Sequence, residues 1–243
     1  MSSRTFYIEP DKVQGKTAVL KGEELHHARN VMRLGPGDEV ELVDGLGNMH
    51  RAVFLSISSE GGELEIKSTE TEDDPSFSLI MAMGIVKGER FEWALQKCTE
   101  LGVAAFIPLI TERTEVKPAK PWPRQARLEK TIISACKQCG RARFPELGSP
   151  VILKDLKPFE YDLPIVLWES GSSPPIKEAV NNIADPGSCL LVIGPVGGFT
   201  DGEIHYLVER GFIAASFGPR ILRTETAATA GAAVLGSIFG DLG

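Results

Sequence analysis

The stretch Ile193-Gly194-Pro195-Val196-Gly197-Gly198-Phe199-Thr200 decides the fold class. It joins the apolar run Cys189–Ile193 to Thr200-Asp201-Gly202-Glu203, which opens a helix with a capping box. In that motif the threonine hydroxyl accepts from the amide three residues on, and the glutamate reaches back to the threonine amide. Glycines in the turn let a backbone or ligand approach closely and supply positive φ. In an open α/β sheet, a loop at the carboxyl end of a strand is where ligands sit. The turn is not a phosphate-binding P-loop, because no Lys-Ser or Lys-Thr follows, and it lacks the G-x-G-x-x-G dinucleotide pattern. By itself it reads equally well as a ligand loop or a tight structural turn.

Outward from this turn, apolar runs alternate with helical patterns. The expected strands are Leu79–Val86, Ala104–Ile110, Pro164–Trp168, Cys189–Ile193 and Ile213–Phe217. Between the first two, Phe91, Leu95, Cys98 and Leu101 recur at helical spacing, with Gly102 as the stop. Leu128, Ile132, Ala135 and Cys136 form the stripe of a second helix ending at Gly140, and a last helix runs from about Thr226 to Phe239. Strands alternating with helices predict a parallel α/β sheet. A second Gly-Pro turn, Phe217-Gly218-Pro219-Arg220-Ile221-Leu222-Arg223-Thr224-Glu225, precedes the last helix, whose Ala227, Ala228, Gly231 and Ala232 invite close packing. Thr224 and Thr226 are candidate N-caps. The Arg223 and Glu225 pair is harder to explain by capping.

The chain changes character near residue 72. Before it, short β-like runs (Thr5–Ile8, Thr17–Leu20, Glu39–Val43, His50–Ile57, Glu63–Ser68) alternate with turns, interrupted by one helix at Glu23–Met32. That spacing suggests a small β-barrel over 1–72, joined by the acidic linker Glu70–Asp74 to an α/β domain over 73–243.

At 243 residues the chain buries a sizeable core without disulfides. A net charge of −7 argues against a general nucleic-acid binder, although Arg113 to Arg143 is a locally basic run that includes Lys117 and Lys120. Cys136 and Cys139 form a lone C-x-x-C without second-pair or histidine partners, so reduced, mostly buried thiols are expected and no metal site. His50 and His205 read as surface positions, and His26-His27 as structural or RNA-contacting. No spanning segment or signal peptide is evident, which makes the cytoplasm the expected location and leaves no membrane partner.

The blocks IGPVGGFTDGEI and FGPRILRTETAATA, with KGERFEWALQKCTELGV (Lys87–Val103), RLEKTIISACKQCGRARFPEL (Arg127–Leu147) and HHARNVMRLGPGDEVELVDGLG (His26–Gly47), resemble the RsmE family of SPOUT methyltransferases. The resemblance spans nearly the whole chain in order. It implies an N-terminal PUA-like barrel that holds RNA, a C-terminal SPOUT domain with a trefoil knot, and a homodimer paired through that domain. It also implies S-adenosyl-L-methionine as methyl donor and N3 of a uridine in the 16S rRNA of the small ribosomal subunit as acceptor. Carried over by position, the donor touches Leu167, Trp168 and Glu169, then Ile193, Gly194, Pro195, Gly197 and Gly198. On the second turn it touches Phe217, Gly218, Ile221, Leu222, Arg223, Thr224, Thr226 and Ala227. Arg223 and Glu225 are the catalytic candidates, Arg223 stabilising charge on the uracil and Glu225 orienting Arg223 or helping to remove a proton. Arg29, Arg33, Lys87, Arg90, Lys97, Gln138, Arg141 and Arg143 are the RNA-contact candidates. One departure is Val196, where the family pattern has Glu in GPEGG. That residue keeps open a catalytically silent RNA-binding factor, beside a methyltransferase of another RNA site.

Overall fold

A computed structural model describes residues 4–115, 122–169 and 173–243. The chain separates into two compact units, one of residues 1–74 with 133–144, the other of residues 75–132 with 145–243.

The first unit is built on β1 (Thr5–Tyr7), β2 (Val13–Gln14), β3 (Thr17–Leu20), β4 (Glu39–Val43), β5 (Asn48–Ile57) and β6 (Gly62–Thr71). They form one mixed sheet in the order β1-β4-β5-β6-β3-β2, parallel only between β1 and β4. Along β5, His50, Ala52 and Phe54 turn inward at the two-residue period of a strand, and Phe6, Leu20, Leu42 and Leu64 complete the core around Phe54. The expected helix at Glu23–Met32 is present in two parts, α1 (Gly22–His26) and a π-helical turn over His27–Val31. His50 is not a surface residue. It is buried, with Nδ1 2.8 Å from the Thr69 hydroxyl, because position 50 falls on the inward face of β5. Desolvation lowers its pKa from the ordinary 6.5. The acidic stretch Glu70–Asp74 is no free tether either. Thr71 still belongs to β6, the Glu72 carboxylate accepts from the amides of Ala142 and Arg143, and Asp74 pairs with Arg143 at 2.9 Å.

The second unit carries β7 (Ser78–Gly84), β8 (Ala105–Ile110), β9 (Glu146–Leu147), β10 (Val151–Ile152), β11 (Leu163–Leu167), β12 (Ser188–Ile193) and β13 (Ile213–Ala215). All pair in parallel, in the order β10-β8-β7-β12-β11-β13, with β9 beside β8. The central strand β12 is buried on both faces from Cys189 to Ile193, as continuous apolar runs in parallel sheets are. The helices are α2 (Arg90–Glu100), α3 (Gln125–Cys139), whose residues from 133 on belong to the first unit, α4 (Ile176–Ala179), α5 (Asp201–Glu209) and α6 (Thr224–Phe239). The stripes expected for α2 and α3 are buried at Phe91, Leu95 and Cys98 and at Leu128, Ile132, Ala135 and Cys136. The small residues of α6 serve the sheet: a Cβ on Gly231 would lie 2.6 Å from Leu191 Cδ2, so a side chain there would push the Leu191 methyl aside. Cys98 and Cys136 are buried and free, their thiols pushed up to about 12 by desolvation, whereas Cys139 is exposed.

Two strands are shorter than their apolar runs, β7 ending at Gly84 and β13 at Ala215, and α6 starts at Thr224 instead of Thr226. The last difference has a local cause. The Thr224 hydroxyl donates to the Gly194 carbonyl at 3.0 Å and caps nothing, so Arg223 precedes the helix without a side-chain cap.

Candidate functional site

The carboxyl ends of β11, β12 and β13 open into one cavity of about 220 Å³. The two Gly-Pro turns meet there: the first gives it Gly194, Pro195 and Gly198, the second Gly218, Ile221 and Leu222. Of the positions expected to touch a donor, Leu167, Trp168, Glu169, Ile193, Phe217, Arg223, Thr224 and Ala227 also line the cavity, whereas Gly197 and Thr226 do not. Gly197 faces Arg113, and Thr226 is exposed on α6. Residues 170–172, in the loop after Glu169, lie outside the described residues, as do Lys117 and Lys120 of the basic run.

The first turn is fixed from several sides. It lies across the end of β7, where a Cβ on Gly84 would come 2.4 Å from the Pro195 nitrogen. Gly198 holds φ at +67°, and a Cβ there would lie 2.8 Å from Glu169 Oε1. Thr224 holds the Gly194 carbonyl, and Arg113 Nη1 donates to the carbonyls of Gly197 and Phe199 at 2.9 and 3.2 Å. Beyond the turn the capping box forms as read from the sequence: Glu203 N donates to Thr200 Oγ1, and Glu203 Oε2 accepts from Thr200 N.

The second turn is different. Among the described residues the backbone of 219–222 makes no hydrogen bond, and Ile221 is 80% exposed. Its amides and carbonyls therefore remain for water or a ligand.

Charge is unevenly placed around the cavity. Arg90, Arg220 and Arg223 are exposed and line it, while Glu225 is only 9% exposed and its Oε2 is buried without a hydrogen-bond partner. A buried carboxylate oxygen left unmatched is costly, on the order of 1–3 kcal/mol or more. The expected Arg223 and Glu225 contact is absent: no ion pair joins them among the described residues. Residues two apart at a helix start point to different sides, one here to solvent and the other inward.

The RNA-contact candidates are divided between the units. Arg29, Arg33, Gln138, Arg141 and Arg143 belong to the first, Lys87, Arg90 and Lys97 to the second. Arg29 and Arg33 are exposed, and Arg33 sits at φ 56° just after the π-helical turn. Lys87 is paired with Glu115 at 2.9 Å, Lys97 with Glu100 at 2.9 Å, and Arg143 with Asp74. Arg90 alone of the eight lines the cavity. Sequence reading missed Gly84, Arg113, Ser216 and Arg220. A glycine ending a buried strand is a recognised sign of close backbone approach, whereas nothing local marks Arg113.

Comparison with known proteins adds to this geometry. The sequence matches the family model of an RNA methyltransferase domain over residues 72–236 and that of an RNA methyltransferase PUA domain over residues 20–67. It is 32% identical over 234 residues to the ribosomal RNA small subunit methyltransferase E of Bacillus subtilis, with 91% of each chain covered. A putative methyltransferase from Legionella pneumophila, solved with the bound cofactor SAM, superposes with a TM-score of 0.88 at 33% identity over all of both chains. The ribosomal RNA small subunit methyltransferase E of Neisseria gonorrhoeae, bound to S-adenosyl methionine, gives 0.87 at 31% identity, covering 99% of this chain and 100% of that one.

Proposed function

The chain belongs to the RNA methyltransferase family, and on that premise we propose that it methylates N3 of a uridine in 16S rRNA of the small ribosomal subunit, with S-adenosyl-L-methionine (AdoMet) as donor. One observation carries the reading: the two Gly-Pro turns build a single cavity, one turn fixed and the other with its backbone unsatisfied. The residues fit the donor. Leu222 and its neighbours have free backbone groups for an adenine, Gly194 and Gly198 leave space for the ribose and methionine parts, and the Glu225 side chain lines the cavity.

When bound, AdoMet supplies a methyl group that is already electrophilic on its sulfonium sulfur. The protein's work is then alignment and the uracil proton. Holding both reactants in a near-attack arrangement contributes on the order of 7–11 kcal/mol. Glu225, whose side chain lines the cavity, accepts the N3 proton. The exposed guanidinium of Arg223 faces the uracil oxygens and stabilises the negative charge that grows there. With no ion pair between the two, Glu225 acts on the substrate and not through Arg223. Arg90 and Arg220 at the rim meet phosphate oxygens of the RNA.

The same reading assigns residues 1–72 to an RNA-holding PUA-like domain and 73–243 to the SPOUT domain. Arg29 and Arg33 are RNA contacts on the first, and Lys87, Lys97, Gln138, Arg141 and Arg143 on the second. It includes a homodimer through the SPOUT domain, a cytoplasmic location, and a trefoil knot. The knot is supported by the bond from Thr224, after the second turn, to Gly194 in the first. No helix among the described residues is long and apolar enough to cross a membrane.

The test incubates labelled AdoMet with immature and mature small ribosomal subunits and maps the modified base. Incorporation at N3 of one uridine is expected. Methylation at another RNA site contradicts the proposed target, and absence of both transfer and AdoMet binding points to a silent RNA-binding factor.

A further inference from the structure

Arg113 stands outside the cavity wall, yet it grips the turn that forms it. One guanidinium nitrogen, Nη1, donates to two carbonyls of the first turn, Gly197 at 2.9 Å and Phe199 at 3.2 Å, across 84 and 86 residues of chain. Arg113 follows β8, and β8 is separated from β12 by β7, so the side chain reaches over the end of β7 to a loop two strands away. Its own segment is anchored at the same place. The Glu112 amide donates to Glu203 Oε1 at 2.8 Å, while the other oxygen of Glu203 closes the capping box on Thr200. Thr111 and Thr114 then close a small turn, the Thr111 amide donating to the Thr114 hydroxyl at 2.8 Å. A Cβ on Gly197 would meet Arg113 Cβ at 3.1 Å, so the stem of Arg113 packs where that glycine has no side chain.

We propose that Arg113 is a positioning residue for methyl-donor binding: it fixes the carbonyls of Gly197 and Phe199 so that Gly194, Pro195 and Gly198 present a preformed wall to AdoMet. The inference rests on the donor-pocket reading above. Two carbonyls of the turn are held by one charged donor, and a loop ordered before binding does not have to be ordered by the ligand. The role is indirect, since Arg113 does not line the cavity.

The experiment titrates AdoMet calorimetrically into wild type, Arg113→Met, Arg113→Lys and Gly197→Ala, and measures single-turnover methyl transfer at saturating donor. Arg113→Met keeps most of the stem but removes the donors, and should raise the Kd for AdoMet about tenfold, while Arg113→Lys, which retains a charged donor, stays within about threefold. The rate at saturating AdoMet should change by less than about twofold, because uniform binding is lost and no transition-state contact. Gly197→Ala presses on the same contact without touching the guanidinium and should raise Kd less. Combined with Arg113→Met, its effect should be well below additive. Wild-type affinity in Arg113→Met, strict additivity of the two changes, or a fall in rate with unchanged Kd would each overturn the proposal. Failure of the wild-type protein to bind AdoMet would instead remove the donor-pocket reading beneath it.

Discussion

The two Gly-Pro turns look alike in sequence and behave oppositely in structure. Ile193-Gly194-Pro195 leads into a loop held by Arg113, Thr224, the Gly84 crossing and the capping box. Phe217-Gly218-Pro219 leads into a segment whose backbone over 219–222 is unpaired among the described residues and whose Ile221 is largely exposed. A pocket made of one rigid and one unsatisfied wall suits a ligand that is read by backbone groups. The fixed wall excludes wrong shapes at no ordering cost, and the open wall still has hydrogen-bonding capacity to spend on the adenine. Glu225 lies at the junction, in the first turn of α6, where both walls end.

The contrast makes graded predictions. The largest effect belongs to the junction: Glu225→Gln keeps shape but cannot take the proton, and should lower the single-turnover methylation rate by roughly 10²–10⁴ with AdoMet affinity nearly unchanged. Rate and affinity falling together would instead make Glu225 part of the donor site. Next comes the fixed wall. Gly84→Ala places a methyl 2.4 Å from the Pro195 nitrogen, inside backbone that cannot yield cheaply. We expect about 1–3 kcal/mol of lost stability in denaturant unfolding, with AdoMet binding lost beyond calorimetric detection. Thr224→Val removes the donor to the Gly194 carbonyl and should cost about 1–2 kcal/mol, with a clear rise in the Kd for AdoMet. The smallest effect belongs to the open wall. Ile221→Ala should leave AdoMet affinity within about twofold, because an exposed side chain contributes little there and the backbone is unchanged. A large loss in that variant would mean that the second turn is read through its side chains.

How much of this could be read beforehand follows the range of the forces. Local patterns are informative: the β-run that becomes β5, the stripes of α2 and α3, the Thr200 to Glu203 capping box and the apolar β12 are each set by neighbours in the chain, and the sequence reading anticipates them. His50 was misplaced by the same logic, because its inward position depends on the phase of β5, and a polar residue at an inward phase is easily taken for a surface one. The two-part helix at Gly22–Val31 and the start of α6 at Thr224 also escaped, since both depend on tertiary partners. Within the site, the lining residues followed from family resemblance and the two turns. The Gly84 crossing and the Arg113 grip did not, because each joins segments far apart in sequence. The separation of Arg223 from Glu225 came from helix phase: once α6 begins at Thr224, Glu225 turns inward and Arg223 stays outside.

Amide hydrogen exchange with and without saturating AdoMet tests the donor pocket most directly. In the free protein the Gly198 amide, which donates to the Pro195 carbonyl, should exchange slowly, and new protection should appear at 218–223 when AdoMet binds. No AdoMet-dependent change at 218–223, or protection that arises only at 194–199, would contradict the division of the pocket into a fixed and an open wall.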